Sequence, residues 1–244
     1  MPHRSVAAEC HCDRVSFLAI TVLAVTEPLS STFQGLRPVG GSYTFGGRQG
    51  RMSPTRRRAF NEIVPRYVAE PPYPNRRIVV EVGCGKGHAT AAMALDESDS
   101  LVVACEPNGS IIANLALLIE EQGISNIKLW VGDAFDLLGL LGTASVAEIR
   151  VWFPDPWPKA RQAGKRLITP ARLVLMTDAL VAGGRLRLAT DDANYAAEAL
   201  AAIDAEPRLV GRVVPRPEER PFTVFEERGL REGRAATDIE AARS

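Results

Sequence analysis

Asp155 is enclosed by prolines. In Phe153-Pro154-Asp155-Pro156-Trp157-Pro158-Lys159, every second residue from Pro154 to Pro158 is proline. Each ring fixes its own φ and restricts the residue before it, so the loop has little backbone freedom. It follows an apolar run that reads as a buried strand. The C-terminal ends of strands are where open α/β sheets bind ligands. A single carboxylate held rigidly there, between aromatic and cationic neighbours, can accept hydrogen bonds and stabilise positive charge developing on a ligand. Taken alone, the same residues also fit a Pro-rich turn that carries Asp only incidentally.

A second constellation lies upstream. Glu81-Val82-Gly83-Cys84-Gly85-Lys86-Gly87 sits between a strand and a helix. The glycines at 83, 85 and 87 let a ligand approach the backbone, and the helix start offers free N–H groups. The G-x-G-x-G spacing differs from the G-x-G-x-x-G of dinucleotide binders. Glu81 suits a cationic ligand such as a sulfonium or an amino group and would repel a pyrophosphate. Glu106, ending the next strand, can accept both hydroxyls of a ribose. Asp133, after the third strand, can accept from an exocyclic adenine amine, although Asp in this place also serves as a helix N-cap. Together these residues describe a pocket for S-adenosylmethionine.

The elements that must position these groups alternate. Strands are expected at 78–82, 101–105, 127–131, 146–153 and 185–189, with late strands near 209–214 and 222–225. Helices are expected at 53–68, 88–95, 109–123, 134–141, 169–181 and 191–203. This order predicts an α/β, Rossmann-like, doubly wound and mostly parallel seven-stranded sheet with helices on both faces. Residues 1–36 read as a poorly ordered N-terminal extension, of the kind an upstream start codon adds. Residues 37–77 read as a basic arm and helix, and 78–244 as the S-adenosylmethionine-dependent domain.

Lys+Arg and Asp+Glu both total 29 in 244 residues, so net charge is zero. Overall charge therefore advertises no polyanionic partner, but its distribution does. Nine arginines stand between Arg37 and Arg77 against only Glu62 and Glu70, which makes this segment a candidate phosphate-binding surface. Cys10, Cys12, Cys84 and Cys105 suggest no disulfide framework and fit a reducing compartment. Cys10-His11-Cys12 lacks a second cluster to complete a tetrahedral site, so no metal is expected. The apolar run at 15–25 is too short to span a bilayer as a helix. A cytoplasmic enzyme without a membrane partner is expected, and monomer and homodimer both remain open.

The chain resembles the bacterial tRNA (guanine-N7-)-methyltransferases over about residues 37–234. The resemblance rests on Phe153 to Arg161 (FPDPWPKAR), on Ala189-Thr190-Asp191 with Tyr195, on Arg220 to Gly229 (RPFTVFEERG), and on Gly50-Arg51-Met52. It implies methyl transfer from S-adenosylmethionine to N7 of guanine 46 in the tRNA variable loop. It further implies that Asp155 is catalytic, and that Glu81, Glu106, Asp133 and Asp155 contact the cofactor. Lys159, Asp191 and the run Thr223, Val224, Phe225 and Glu226 match substrate-binding positions. Arg161, Lys165 and Arg166 fall in a segment that touches RNA. Two departures concern RNA affinity: Gln162-Ala163-Gly164 dilutes a basic run, and Val224 replaces a lysine of the family pattern.

Two other classes share parts of this pattern. An NAD(P)-dependent oxidoreductase has the strand, glycine turn, helix and second-strand acid, but the glycine spacing, Glu81 and the lack of a Tyr-x-x-x-Lys pair oppose it. A non-catalytic RNA-binding module would not need the acids at three strand ends. An amino-group methyltransferase often carries N-P-P-Y after the fourth strand, where this chain has F-P-D-P-W.

Overall fold

Apolar, largely β-branched runs carry the centre of the sheet. In the computed structural model, which describes residues 52–244, β1 (Arg77–Val82), β2 (Ser100–Cys105) and β4 (Val146–Trp152) are buried along almost their whole length. Strands covered on both faces read this way. β3 (Ile127–Trp130), β5 (Leu180–Thr190), β6 (Leu209–Val214) and β7 (Thr237–Arg243) complete one sheet in the order β3-β2-β1-β4-β5-β7-β6. The first five run parallel, with Val82 opposite Cys105 and Val80 opposite Ile149. β7 is antiparallel to both β5 and β6.

From β1 the chain builds outward through β2 and β3 and then returns to lay β4 on the other side of β1. This reversal opens a crevice beyond the C-terminal ends of β1 and β4. The glycine turn leaves β1 into that crevice, and the proline loop leaves β4 into it.

Eight α-helices are described: α1 (Pro54–Glu62), α2 (Val64–Tyr67), α3 (His88–Asp96), α4 (Gly109–Gln122), α5 (Ala134–Leu141), α6 (Pro170–Ala179), α7 (Ala193–Asp204) and α8 (Val224–Arg231), with a 3-10 helix at Ala160–Lys165. Ser53, Asn108, Asp133, Thr169, Asp192 and Thr223 cap six of them by accepting a backbone N–H. The capping oxygen meets donors that lack intrahelical partners. α4 touches α1 and α3, while α6 touches α5 and α7, giving the two helical layers.

Three expectations need correction. Residues 222–225 are not a strand. Thr223 caps α8 instead, and the apolar residues Val224 and Phe225 stand exposed on its first turn. The seventh strand is β7, whose Thr-Asp-Ile-Glu-Ala-Ala-Arg sequence carries too much charge to show as a buried run. The helix expected over 53–68 breaks at Ile63 into α1 and α2, because Pro65 has no N–H to continue the ladder. β5 begins at Leu180 rather than Arg185, with an irregular register before Glu148–Arg185 pairing and Gly183 at φ +72. The extension 1–36, Cys10, Cys12, the apolar run, the 40–50 loop, and Arg37, Arg48 and Arg51 lie outside the described residues.

Candidate functional site

β1 delivers the first acid. Glu81 is buried, and its Oε2 has no hydrogen-bond partner among the described residues. Burial pushes its carboxyl up to about 7, against the opposing pull of Thr90 and Arg150. The turn that follows has Gly83 at φ +79, Gly85 at +53 and Gly87 at +84, all in the left-handed region that disfavours a Cβ. At Gly87 a Cβ would also fall 2.7 Å from Leu115 Cβ. This close approach seats the start of α3 against α4 and leaves the turn open toward the crevice.

β2 delivers Glu106, which accepts from Asn108 N–H at 2.9 Å. Burial pushes its carboxyl up to about 7; N–H groups of Asn108 and Gly85 oppose this, and Asp155 adds to it. Asp133 is buried and accepts from Phe135 N–H at 3.0 Å, so it caps α5. The capping role anticipated for it is therefore real.

β4 delivers the proline loop. Phe153 has φ +51 and Trp157 has φ +44, conformations that are uncommon and costly for aromatic residues and that cluster at functional sites. The loop is held from outside. Phe153 N–H donates to Ala189 O at 2.7 Å. Arg166 donates to the carbonyls of Pro156 (3.0 Å) and Trp157 (3.2 Å) and pairs with Glu198. Arg166 thus works as a clamp on the loop. Lys165 lies over the Trp157 ring at 4.7 Å, while Lys159 and Arg161 are exposed. Asp155 itself is exposed.

Three cavities meet here. One is lined by Glu81, the glycine turn, Trp152 and the first turn of α8. The second runs from Gly83 and Glu106 past Gly132 to Asp155 and Trp157. The third lies between Asp155 and Asp191, with Arg228 and Arg234 on its rim. Phe225 borders all three, and Asp155 borders the second and third. The first two share Gly83, Gly85 and Trp152 and fit a nucleoside joined to a charged tail. The unpartnered oxygen of Glu81 faces the demand of a cation, Glu106 that of vicinal hydroxyls. The described residues therefore fit S-adenosylmethionine.

The remaining substrate-binding expectations separate. Asp191 lines the third cavity and pairs with Arg234 at 2.9 Å. Thr223, Val224 and Phe225 line the first. Glu226 is buried and committed to Arg220 and Arg216. Sequence reasoning missed Arg234 and the packing of Gly229, where a Cβ would fall 2.7 Å from Asp191 Oδ2. Neither has a local signal, because their partner lies some forty residues away in sequence.

A family described as "Putative methyltransferase" matches residues 75–239. A tRNA (guanine-N(7)-)-methyltransferase of Leifsonia xyli subsp. xyli is 41% identical over 167 residues, covering 66% of this chain and 74% of the relative. The protein of that name from Paraburkholderia xenovorans is 37% identical over 210 residues, covering 80% of this chain and 81% of the relative. The crystal structure of PH0851 aligns with a TM-score of 0.53 at 14% identity, over 78% of this chain and 46% of that one. That last likeness concerns the fold alone.

Proposed function

This chain belongs to the tRNA (guanine-N7-)-methyltransferase family, and we propose that its target is guanine 46 in the tRNA variable loop. It is an S-adenosylmethionine-dependent enzyme that methylates guanine N7 in tRNA. Family membership sets aside the oxidoreductase and the non-catalytic readings. A tRNA substrate also supports a cytoplasmic location.

When bound, S-adenosylmethionine supplies an electrophilic methyl on a sulfonium. Glu81 and the glycine turn would hold its charged tail and Glu106 its ribose. Asp133, between Gly132 and Ala134 of the cavity wall, would stand nearest the adenine edge. Guanine N7 has an in-plane lone pair and no proton to lose, so no strong base is required. Orientation supplies much of the acceleration. The base gains positive charge as the methyl arrives, and a fixed carboxylate nearby stabilises that charge. Asp155, on the wall shared by the two cavities, takes this role. Asp191, across the same cavity, can accept from guanine N1–H or the N2 amine. Phe225 offers an aromatic face at the junction. Lys159, Arg161 and Lys165 present cations beside the Asp155 loop for the RNA backbone.

The observation that carries this reading is Asp155 on the shared wall of the nucleoside cavity and the acceptor cavity. The test is methyl transfer from labelled S-adenosylmethionine to unmodified tRNA, with the product nucleoside mapped by mass spectrometry. 7-Methylguanosine at position 46 is expected. The same nucleoside elsewhere would overturn the position. No transfer by a folded, cofactor-binding protein would overturn the tRNA target.

A further inference from the structure

Arg220 has 2% of its surface exposed, yet it holds two carboxylates. Nη1 donates to Glu226 Oε2 at 2.7 Å and Nη2 to Glu226 Oε1 at 2.8 Å. Nε donates to Asp238 Oδ1 at 2.8 Å, and Nη2 to Asp238 Oδ2 at 3.1 Å. Arg216 closes the outer side, donating Nε to Glu226 Oε1 at 2.8 Å and Nη2 to the Arg220 carbonyl at 2.6 Å. The centre of the Arg220 guanidinium lies 5.7 Å from the Trp152 ring centroid and 5.4 Å from that of Phe153.

These partners belong to three separate elements at or behind the junction. Trp152 ends β4, and Phe153 opens the Asp155 loop in its left-handed conformation. Glu226 follows Phe225 in the first turn of α8. Asp238 lies in β7, opposite Ala189 of β5. Glu226 and Asp238 are close enough to repel: burial raises the Asp238 carboxyl, Arg220 opposes that, and Glu226 adds to it. Arg220 sets a cation between them and so ties α8 to β7. A lysine would supply the charge but not the planar fork that satisfies both carboxylates while facing the aromatic rings.

We propose that Arg220 is a positioning residue for methyl transfer, gripping Glu226 and Asp238 and facing Phe153 so that the Asp155 loop and the Phe225 turn keep a fixed separation. The inference rests on the methyl-transfer reading. Its physical basis is the steep dependence of an in-line displacement on alignment, where a shift of about 1 Å costs on the order of a hundredfold in rate. Arg220 itself touches none of the three cavities; it acts through the groups it holds.

The test compares wild type with Arg220→Lys in single-turnover transfer at saturating tRNA, with the rate divided by the number of cofactor-binding sites found by titration. The variant is expected to unfold cooperatively and to bind S-adenosylmethionine within about threefold of wild type. It is expected to transfer about tenfold or more slowly per competent site, with kcat changing more than KM for tRNA. A merely structural role would reduce the number of competent sites and leave the rate per site unchanged, and that result overturns the proposal. If Arg220→Lys does not fold, Glu226→Gln is judged by the same criterion. It keeps the shape and loosens the grip, and a loss of about threefold or more per site is expected. An inactive wild type would remove the methyl-transfer reading, and this inference with it, before any variant is compared.

Discussion

The Asp155 carboxylate acts on that of Glu106 across the nucleoside cavity. Both line it, and Asp155 helps to raise the Glu106 carboxyl, which burial has already pushed up to about 7. The residue proposed to stabilise the methylated base therefore acts electrostatically on the residue proposed to hold the ribose. Asp155→Asn should lower kcat by about a hundredfold or more, the cost typical of removing one preorganised charge-stabilising group. It should also move the Glu106 titration down without returning it to the ordinary range, because burial remains. Carbon NMR of the Glu106 carboxyl together with single-turnover rates checks both. Near-wild-type turnover would remove Asp155 from the catalytic role.

Glu81 gives a pH dependence with a definite sign. Its carboxyl is raised from 4.5 to about 7 in the folded, ligand-free protein. An acid raised in this way binds its proton more tightly folded than unfolded. Stability therefore falls as pH rises from about 4.5 through about 7 and levels off above. The contribution is on the order of 3 kcal/mol at most. Urea midpoints of the free protein should decline over that window, and Glu81→Gln should flatten the decline. Cofactor binding should show the opposite trend, since the ionised form suits a cation. Affinity for S-adenosylmethionine should rise between about pH 6 and 8. An affinity independent of pH in wild type would exclude Glu81 from holding the charged tail.

Legibility in the sequence followed from how local each signal is. β1, β2 and β4 are buried on both faces, so their apolar runs stand out unaided. The acids at the strand ends and the glycine turn were equally readable, because each lies next to the strand that positions it. β7 was hidden, since Asp238 and Glu240 make a polar string whose strand character comes from pairing with β5 and β6. Phe222 to Phe225 misled for the converse reason: their apolar side chains serve the cavity mouth and its rim rather than a core. Arg220, Arg234 and Gly229 gained their roles only when the fold brought Glu226, Asp238 and Asp191 to them.

Gly229 bears on the acceptor cavity through Asp191. A Cβ there would lie 2.7 Å from Asp191 Oδ2 and 3.3 Å from Asp191 Cβ. Gly229→Ala should push the Asp191 carboxylate out of its pairing with Arg234. The expected result is a loss of about tenfold in kcat/KM for tRNA with cofactor affinity unchanged, and overpacking should cost about 1–3 kcal/mol of stability. Parallel titration with S-adenosylmethionine and steady-state kinetics with tRNA would separate the two. Weakened cofactor binding with intact tRNA kinetics would show that Asp191 does not serve the acceptor.

The described part of the basic arm is fixed beside the nucleoside end of the site. α1 packs on α4 with Phe60 so close to Gly109 that a Cβ there would meet its ring at 2.8 Å. α4 in turn starts just after Glu106. Arg58 is paired with Glu62 at 2.9 Å, whereas Arg56 and Arg57 are exposed on the same turn of helix. As exposed cations with no carboxylate partner among the described residues, they are candidates for phosphate contact, and a compensating role for the diluted run at Gln162–Gly164 is the expected outcome. Arg56→Ala with Arg57→Ala should leave S-adenosylmethionine affinity and fold intact and weaken tRNA binding. Each lost phosphate contact should reduce the slope of log affinity against log salt by about one. Because a phosphate contact carries no base information, the loss should be similar for every tRNA accepted. A salt slope equal to that of wild type would place the RNA backbone elsewhere, on the side of Lys159, Arg161 and Lys165.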